Sequence, residues 1–231
     1  MNILCIADIH GDQDGLVLAR DFIVQRDMTT SDEDNIDYII LMGDYSVGFK
    51  DPKQNLIDIK YALEFLKDDA KLLAMPGNCD QLEIVDIIKK HDMNFHEKVV
   101  ELNGTSFIGL GGSNPTPFET PMELSEEEIS EKLTKLFEQA KTEKIVLVTH
   151  FPPKDTKCDR VPSGAHVGSA SLRKIIEEKR PSACICSHIH ESAGEEDFIG
   201  ETKIVNVGML SHGNGVVIKT NPFEVEHVKI K

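Results

Sequence analysis

The sequence predicts a layered α/β protein, and three observations carry that reading. Short apolar runs recur along the chain, helical patterns with one apolar face lie between several of them, and no repeat, biased linker or composition break divides it. Residues 1–231 are therefore expected to form one domain, which suits 231 residues with 40% hydrophobic and 28% charged side chains.

Asn2-Ile3-Leu4-Cys5-Ile6-Ala7 reads as a buried strand, as do Tyr38-Ile39-Ile40-Leu41-Met42 and Lys71-Leu72-Leu73-Ala74-Met75. Their apolar residues follow one another without alternation, the pattern of strands covered on both faces. Leu56, Ile59, Leu63 and Leu66 fall on one face of a helix. Asp80-Gln81-Leu82-Glu83 has capping-box spacing and reads as a helix start with Asp80 as its N-cap. Lys98 to Leu102 and Thr105 to Ile108 flank Asn103-Gly104, a hairpin signal. Ser125 and Glu128 make a capping box, and Ile129, Leu133, Leu136, Phe137 and Ala140 continue its buried stripe. Lys144 to Val148 is a fourth buried strand. Leu172, Ile175 and Ile176 mark a short helix that ends before Pro181. Ala183 to Cys186 is the fifth buried strand, and Lys203 to Val207, Gly215 to Lys219 and Phe223 to Ile230 add strands of more antiparallel character. Asp32-Glu33-Asp34 and Glu126-Glu127-Glu128 are charge runs expected on solvated surface.

Charge excludes whole classes of partner. Lys and Arg total 25 against 40 Asp and Glu, a net charge of −15 with neutral histidines. Non-specific grip on DNA or RNA needs clustered cations, and so does attachment to an anionic membrane. Long nucleic acid and membranes are therefore not expected partners. No apolar run approaches a membrane span, and the N-terminus lacks the basic flank of a signal peptide. Cysteines number five, and Cys5, Cys184 and Cys186 sit in strand-like runs. An odd count in apolar surroundings suits reduced thiols, so a cytoplasmic location is expected.

The polar residues collect in one kind of place. Asp8 and His10 follow the first buried strand, Asp44 the second, Asn78 the third, His150 the fourth, and His188 and His190 the fifth. Strand carboxyl ends in a parallel α/β sheet share one edge, where the ligand crevice lies. If these strands are parallel, the seven groups share a site. The i, i+2 spacing of His188 and His190 puts both rings on one side of an extended segment. Two carboxylates, four imidazoles and an amide suit Mn²⁺, Zn²⁺, Fe²⁺ or related ions. Seven side chains exceed the needs of one four-coordinate ion and would accommodate two ions about 3.5–4 Å apart. Such a site attracts a phosphate ester even though the whole chain is acidic.

These motifs, Asp8-Ile9-His10, Gly43-Asp44, Gly77-Asn78-Cys79-Asp80, a lone His150 and Ser187-His188-Ile189-His190, resemble the signature of the calcineurin-like metallophosphoesterase superfamily. Within it the chain is most similar to the Icc-related phosphoesterases of archaea and bacteria, and Asn206-Val207-Gly208 resembles the family's last conserved strand end. The resemblance implies a four-layer αββα sandwich: two mixed sheets face to face with helices on both outer sides. It assigns Asp8, His10 and His190 to a first metal, Asn78, His150 and His188 to a second, and Asp44 to both. Two divalent ions are implied, Mn²⁺ first and Zn²⁺, Fe²⁺, Ni²⁺ or Co²⁺ as alternatives. The implied reaction is hydrolysis of a phosphate ester by a metal-bridging hydroxide without a covalent intermediate. Phosphodiesters are favoured over monoesters, and a small phosphate ester or nucleotide is the expected partner, with a homo-oligomer also open. The competing readings are a nuclease acting on nucleic-acid ends and a non-catalytic metal-binding scaffold.

Two positions depart from the family pattern. Cys79 stands where relatives carry a histidine that stabilises the transition state or protonates the leaving group. A thiol donates weakly, so esters with good leaving groups, or another donor, are expected. Ser187 replaces a glycine, which reads as simple tolerance more readily than as a contact to phosphate. Asp80 would orient the missing histidine in relatives, although the N-cap role is the plainer one here. His166, in the loop after the fourth strand, is a candidate general acid, with a solvated histidine as the alternative. His212 is a weaker one; His91, His96 and His227 read as structural or exposed. Arg160 and Arg173 suit either phosphate contact or a solvated face. The Gly/Pro-rich stretch 111–118 reads either as a pocket lining, through its backbone donors and Phe118, or as a plain connection to the Ser125 helix; Gly112, Ser113 and Asn114 are its candidate substrate contacts, and Asn78 is another.

Overall fold

The computed structural model describes residues 1–29 and 35–230; the Asp32-Glu33-Asp34 run lies outside them. Two mixed sheets are built. The first has the order β11-β10-β1-β2-β3, from Phe223–Lys229, Asn214–Thr220, Asn2–Ile6, Ile36–Leu41 and Lys71–Ala74. In the second the order is β4-β5-β6-β7-β9-β8, from Lys98–Leu102, Thr105–Leu110, Ile145–Thr149, Ala183–Cys186, Thr202–Asn206 and Glu196–Ile199. Strands β1, β2 and β3 run parallel, and so do β5, β6, β7 and β9. The five strands expected to present the site thus form two parallel sets, one in each sheet of the expected two-sheet sandwich.

Three apolar layers hold the sandwich together. Ile3, Cys5, Ile40, Phe107, Val148 and Ile185 pack between the sheets. Outside the first sheet, Leu4, Ile6 and Ile39 meet helices α1 (Gln13–Thr29), α2 (Pro52–Leu66) and α3 (Glu83–Lys90). Outside the second, Ile108, Leu147 and Cys184 meet α4 (Glu126–Gln139) and α5 (Ala170–Lys179). Strands β1, β2, β3, β6 and β7 are therefore covered on both faces, which is why their apolar residues follow one another without alternation.

Most elements follow the sequence pattern. Helix α2 buries Ile59, Leu63 and Leu66, with Asp51 accepting from the amides of Lys53 and Gln54 at its start. The Ser125–Glu128 capping box forms on α4, over the buried Ile129, Leu133, Leu136 and Phe137. Arg180 ends α5 in the left-handed conformation just before Pro181. Asn103 and Gly104 both take positive φ, as the two-residue hairpin turn requires. Helix α1 and strand β8 carry weaker signals. In α1, Leu16, Ala19 and Ile23 are buried but Val17, Leu18 and Val24 are exposed, so no single stripe stands out. Among the described residues no helix is long and apolar enough to cross a membrane.

Candidate metal centre

The loops after β1, β2 and β3 are laced together by their backbones. The Asp8 amide donates to the Gly43 carbonyl at 3.1 Å, His10 to Asp44 at 2.9 Å and Gly11 to Tyr45 at 2.8 Å. Asp8, His10 and Asp44 take φ values of 50°, 47° and 54°, and His188 across the crevice takes 69°. Left-handed backbone is costly for residues with a Cβ, and such strain is concentrated where a site is over-determined by its surroundings. Gly43, at φ 98°, lets its loop lie directly against the Gly77 backbone.

Asp80 fastens this arrangement. Its carboxylate accepts from the amides of Gly77 and Asp44 at 2.8 Å and Tyr45 at 3.0 Å. The N-cap expectation is corrected: α3 begins at Glu83 after Leu82, with no side-chain cap, because Asp80 is turned inward to these three donors. Burial, reinforced by the nearby Asp44 charge, pushes the Asp80 carboxyl up to about 6 against the pull of those bonds.

Imidazoles from the second sheet meet these carboxylates. The ligand atoms of Asp8, His10 and His190 all lie within 4.8 Å of one another, as do those of Asp44, His150 and His188. Asp44 stands between the two groups, its Oδ2 3.6 Å from His150 Nε2 and 4.0 Å from His10 Nε2. Asn78 joins the second group, with Oδ1 3.1 Å from His150 Nε2. Each ring is aimed by its other nitrogen: His10 Nδ1 lies 2.9 Å from the Ser46 carbonyl and His150 Nδ1 lies 2.8 Å from that of Met42. Protons on those Nδ1 atoms leave Nε2 free to take a metal. Asn78 Nδ2 donates to Thr120 Oγ1 at 3.1 Å, which turns Oδ1 toward the cluster.

One atom tests whether ions fit. Asp8 Oδ1 is buried with no hydrogen-bond partner, 3.4 Å from His190 Nε2 and 3.9 Å from His150 Nε2. A buried carboxylate oxygen left bare among imidazoles is costly without a cation, and hard or borderline donors of this kind suit Mn²⁺ or Zn²⁺. The site therefore fits the ions.

Electrostatics reinforce this. Burial opposes ionisation of Asp8, yet the His190 ring, the His150 charge and the Ser187 hydroxyl hold its carboxyl well below the usual range. Asp44 is likewise buried and held low by His150. Burial favours neutral His150, but Asp44 outweighs it and lifts the ring to about 9. His188, buried and facing His150, is pushed down to about 4 and stays neutral.

The structure revises several other residues. His188 and His190 do not share one side of an extended segment. His188 is left-handed and faces His150, with ring centres 5.3 Å apart, while His190 opens a 3-10 turn and faces His10 at 5.2 Å. One ring thus goes to each group. Ser187 is more than tolerated, since its buried hydroxyl donates to Asp8 Oδ2. His166 is bound to buried Asp159 at 2.7 Å, and its ring is not part of the crevice wall. Gly112 donates to the Pro76 carbonyl, and the buried Ser113 hydroxyl closes on the Asn114 carbonyl, so both lie behind the wall; Asn114 lines it. Arg173 is engaged by Glu177 and the carbonyls of Lys154 and Asp155. Arg160 lines a neighbouring hollow of about 440 Å³ with Lys157. The crevice over the cluster measures about 460 Å³, and the Cys79 thiol reaches it from the same loop as Asn78. Burial, then the Asp44 charge, pushes that thiol up. Sequence reasoning missed Thr120, Ser46 and Met42, which orient ligands; two of the three act through backbone carbonyls that carry no sequence signal.

Two mixed sheets face to face thus present carboxylate and imidazole groups suited to divalent metal ions at their common edge. The model of the calcineurin-like phosphoesterase family matches residues 1–192, and the chain belongs to that family. It is 38% identical over 216 residues, 92% of this chain and 90% of the relative, to the uncharacterized protein MJ1162 of Methanocaldococcus jannaschii. The fold is similar to TT1561 of Thermus thermophilus, with a TM-score of 0.70, 18% identity and coverage of 100% and 99% of the two chains. It is similar as well to a dimetal phosphatase from Danio rerio, at 0.60, 10% identity and the same coverage.

Proposed function

We propose that this phosphoesterase is a phosphodiesterase using two divalent ions, Mn²⁺ first among them. Asp8, His10 and His190 would hold one ion, Asn78, His150 and His188 the other, and Asp44 both. The observation that carries the reading is the orphaned Asp8 Oδ1 within two clustered ligand groups. When bound, the ions would supply an activated water and neutralise charge on the ester. The chain's own part is to hold the ligands still: Ser46 and Met42 carbonyls set the imidazoles, Thr120 sets Asn78, and Asp80 sets Asp44.

Preference for diesters is supported by the crevice wall, which among the described residues contains no Lys or Arg. A dianionic monoester lacks a side-chain cation to pair its second charge, whereas a singly charged diester needs none. Cys79 adds a second selection, for esters with good leaving groups, because its thiol is a weak proton donor. Asp80 acts as a positioning residue, and His166, bound to Asp159 outside the crevice lining, is not assigned as general acid. The five free cysteines, four of them buried, support a cytoplasmic location.

Mn²⁺ at about 100 times its Kd should raise Tm by roughly 5–10 °C. The loaded protein should hydrolyse bis-p-nitrophenyl phosphate, and Asp44→Asn should cut turnover by about 10²-fold or more. Cys79→His should raise turnover of diesters with poor leaving groups, followed by release of the alcohol. Absence of hydrolysis by folded, Mn²⁺-loaded protein across diesters and monoesters would leave a binding scaffold instead.

A further inference from the structure

The crevice is lined by polar and apolar residues together. Beside Asp44, Asn78, His10 and His188 stand Phe49, Pro115, Pro117, Phe118, Val161 and Val167, and Glu191 adds a carboxylate. Phe118 is 72% exposed and Val167 39%, so apolar surface faces water at the mouth of the site. Apolar side chains left exposed at the rim of a concave polar site mark a ligand surface.

The Phe118 segment is also held in place. Glu123 accepts from the amide and hydroxyl of Thr116, at 3.1 and 2.6 Å, and from those of Thr120, at 2.8 and 2.6 Å. Thr116 Oγ1 in turn accepts from the Phe118 amide at 3.2 Å, and Thr120 Oγ1 accepts from Asn78 Nδ2. One carboxylate therefore ties the segment bearing Phe118 to a candidate metal ligand. Phe49 is fixed from the other direction, its carbonyl accepting from Gln81 Nε2 at 2.9 Å. A platform already ordered before binding loses little entropy when a ligand lands on it.

We propose that the substrate is a phosphate diester with a planar ring on one ester group, and that Phe118 is the specificity-determining residue on which this ring stacks. The proposal rests on the phosphodiesterase reading of the same site and names its substrate class. The cation-free wall gives a second charged group no partner, and a crevice of about 460 Å³ accommodates a phosphate with one ring-bearing alcohol. A nucleobase and a simple aryl ring share this chemistry.

Binding of diphenyl phosphate and dibutyl phosphate to the Mn²⁺-loaded protein, measured by calorimetry, tests the ring directly. Both are singly charged and apolar, and only one has rings. Diphenyl phosphate should bind about tenfold tighter, near the low end of what an aromatic stack contributes. Phe118→Ala should bring the two within about twofold, and Phe118→Tyr should keep the preference. The methyl ester of thymidine 5′-phosphate distinguishes the ring sources: weakening by Phe118→Ala points to a nucleobase, and insensitivity with diphenyl phosphate still affected points to an aryl group. Equal binding of diphenyl and dibutyl phosphate to the wild type, or a preference that survives Phe118→Ala, overturns the proposal. Turnover of bis-p-nitrophenyl phosphate reads the phosphodiesterase function separately, so either can fail alone.

Discussion

The two sheets contribute to the candidate metal centre in different ways. From the first come both carboxylates, Asp8 and Asp44, with His10 and Asn78; from the second come His150, His188 and His190. On the first side the loops interlock through backbone hydrogen bonds, three of the four residues are left-handed, and Asp80 collects three amides. On the second, His188 alone is left-handed, and His150 is aimed by a single carbonyl. The difference follows from charge. Both carboxylates are buried, and the Asp8 charge adds to the cost of ionising Asp44. Like charges stay together only where the backbone beneath them cannot yield, whereas the imidazoles face carboxylates of opposite sign, as the raised His150 shows, and need only an orientation.

This asymmetry makes backbone substitutions the strongest way to break the comparison. A Cβ at Gly43 would overlap the Gly77 amide nitrogen and the Pro76 carbonyl carbon, and φ 98° is unfavourable for alanine besides. Neither obstacle is a flexible side chain. Gly43→Ala should therefore cost about 3 kcal/mol or more, a Tm drop of roughly 6–12 °C, with loss of Mn²⁺ retention. Gly200, in the turn between β8 and β9, also has positive φ, at 60°, but a Cβ there meets nothing within 4 Å. Gly200→Ala should cost only about 1–2 kcal/mol and leave Mn²⁺ binding intact. Equal losses in the two variants, measured by calorimetry, would mean that the first-sheet loops are no more constrained than an ordinary turn.

Ser187→Ala probes the seam between the sheets at a smaller scale. The hydroxyl crosses from the β7 end to Asp8, and its removal leaves Oδ2 only a 3.3 Å approach from the His188 amide. A buried carboxylate losing one donor should lower stability by about 1–3 kcal/mol. Loss of an orienting partner to a ligand should weaken Mn²⁺ about tenfold or more. Titration calorimetry showing unchanged Mn²⁺ affinity would return Ser187 to a merely tolerated replacement for glycine.

How much of this was legible in the sequence divides along the same line. Apolar runs foretold the buried strands, and the polar residues just after them marked the positions of all seven candidate ligands, because side-chain chemistry is written in residue type. That the strands would split between two sheets is absent from any local pattern, since β1 and β6 look alike in composition yet pair with different neighbours. The left-handed turns at Asp8, His10 and Asp44 were equally hidden: none is a glycine, and tertiary hydrogen bonds impose the conformation. Asp80 shows how a local rule loses to a tertiary one. Its spacing to Glu83 suits a capping box, but three buried amides outweigh one helix end.

Glu97 lies away from the centre and supplies the smallest contrast, a surface charge against buried ones. Its Oε1 is 3.3 Å from His96 Nε2 and 2.7 Å from Lys132 Nζ on α4. The Gly111 amide donates to His96 Nδ1 at 3.1 Å, which places that ring's proton on Nε2, facing Glu97. The hydrogen bond from His96, resisted by partial burial and aided by Lys132, lowers the Glu97 carboxyl from its ordinary 4.5 to about 2. A carboxyl lowered by folding stabilises the native state fully above its unfolded pKa, and that contribution drains away as pH falls through the folded value. The window therefore runs from about pH 4.5 down to about pH 2. With the Glu97 side chain 42% exposed, solvent screening limits the contribution to about 1 kcal/mol or less. Glu97→Gln should thus destabilise slightly at about pH 7 in urea titrations, and its curve should converge on the wild type toward about pH 2. Two curves that stay parallel across that range would show that the surface cluster is electrostatically idle, leaving the buried carboxylates as the charges that matter.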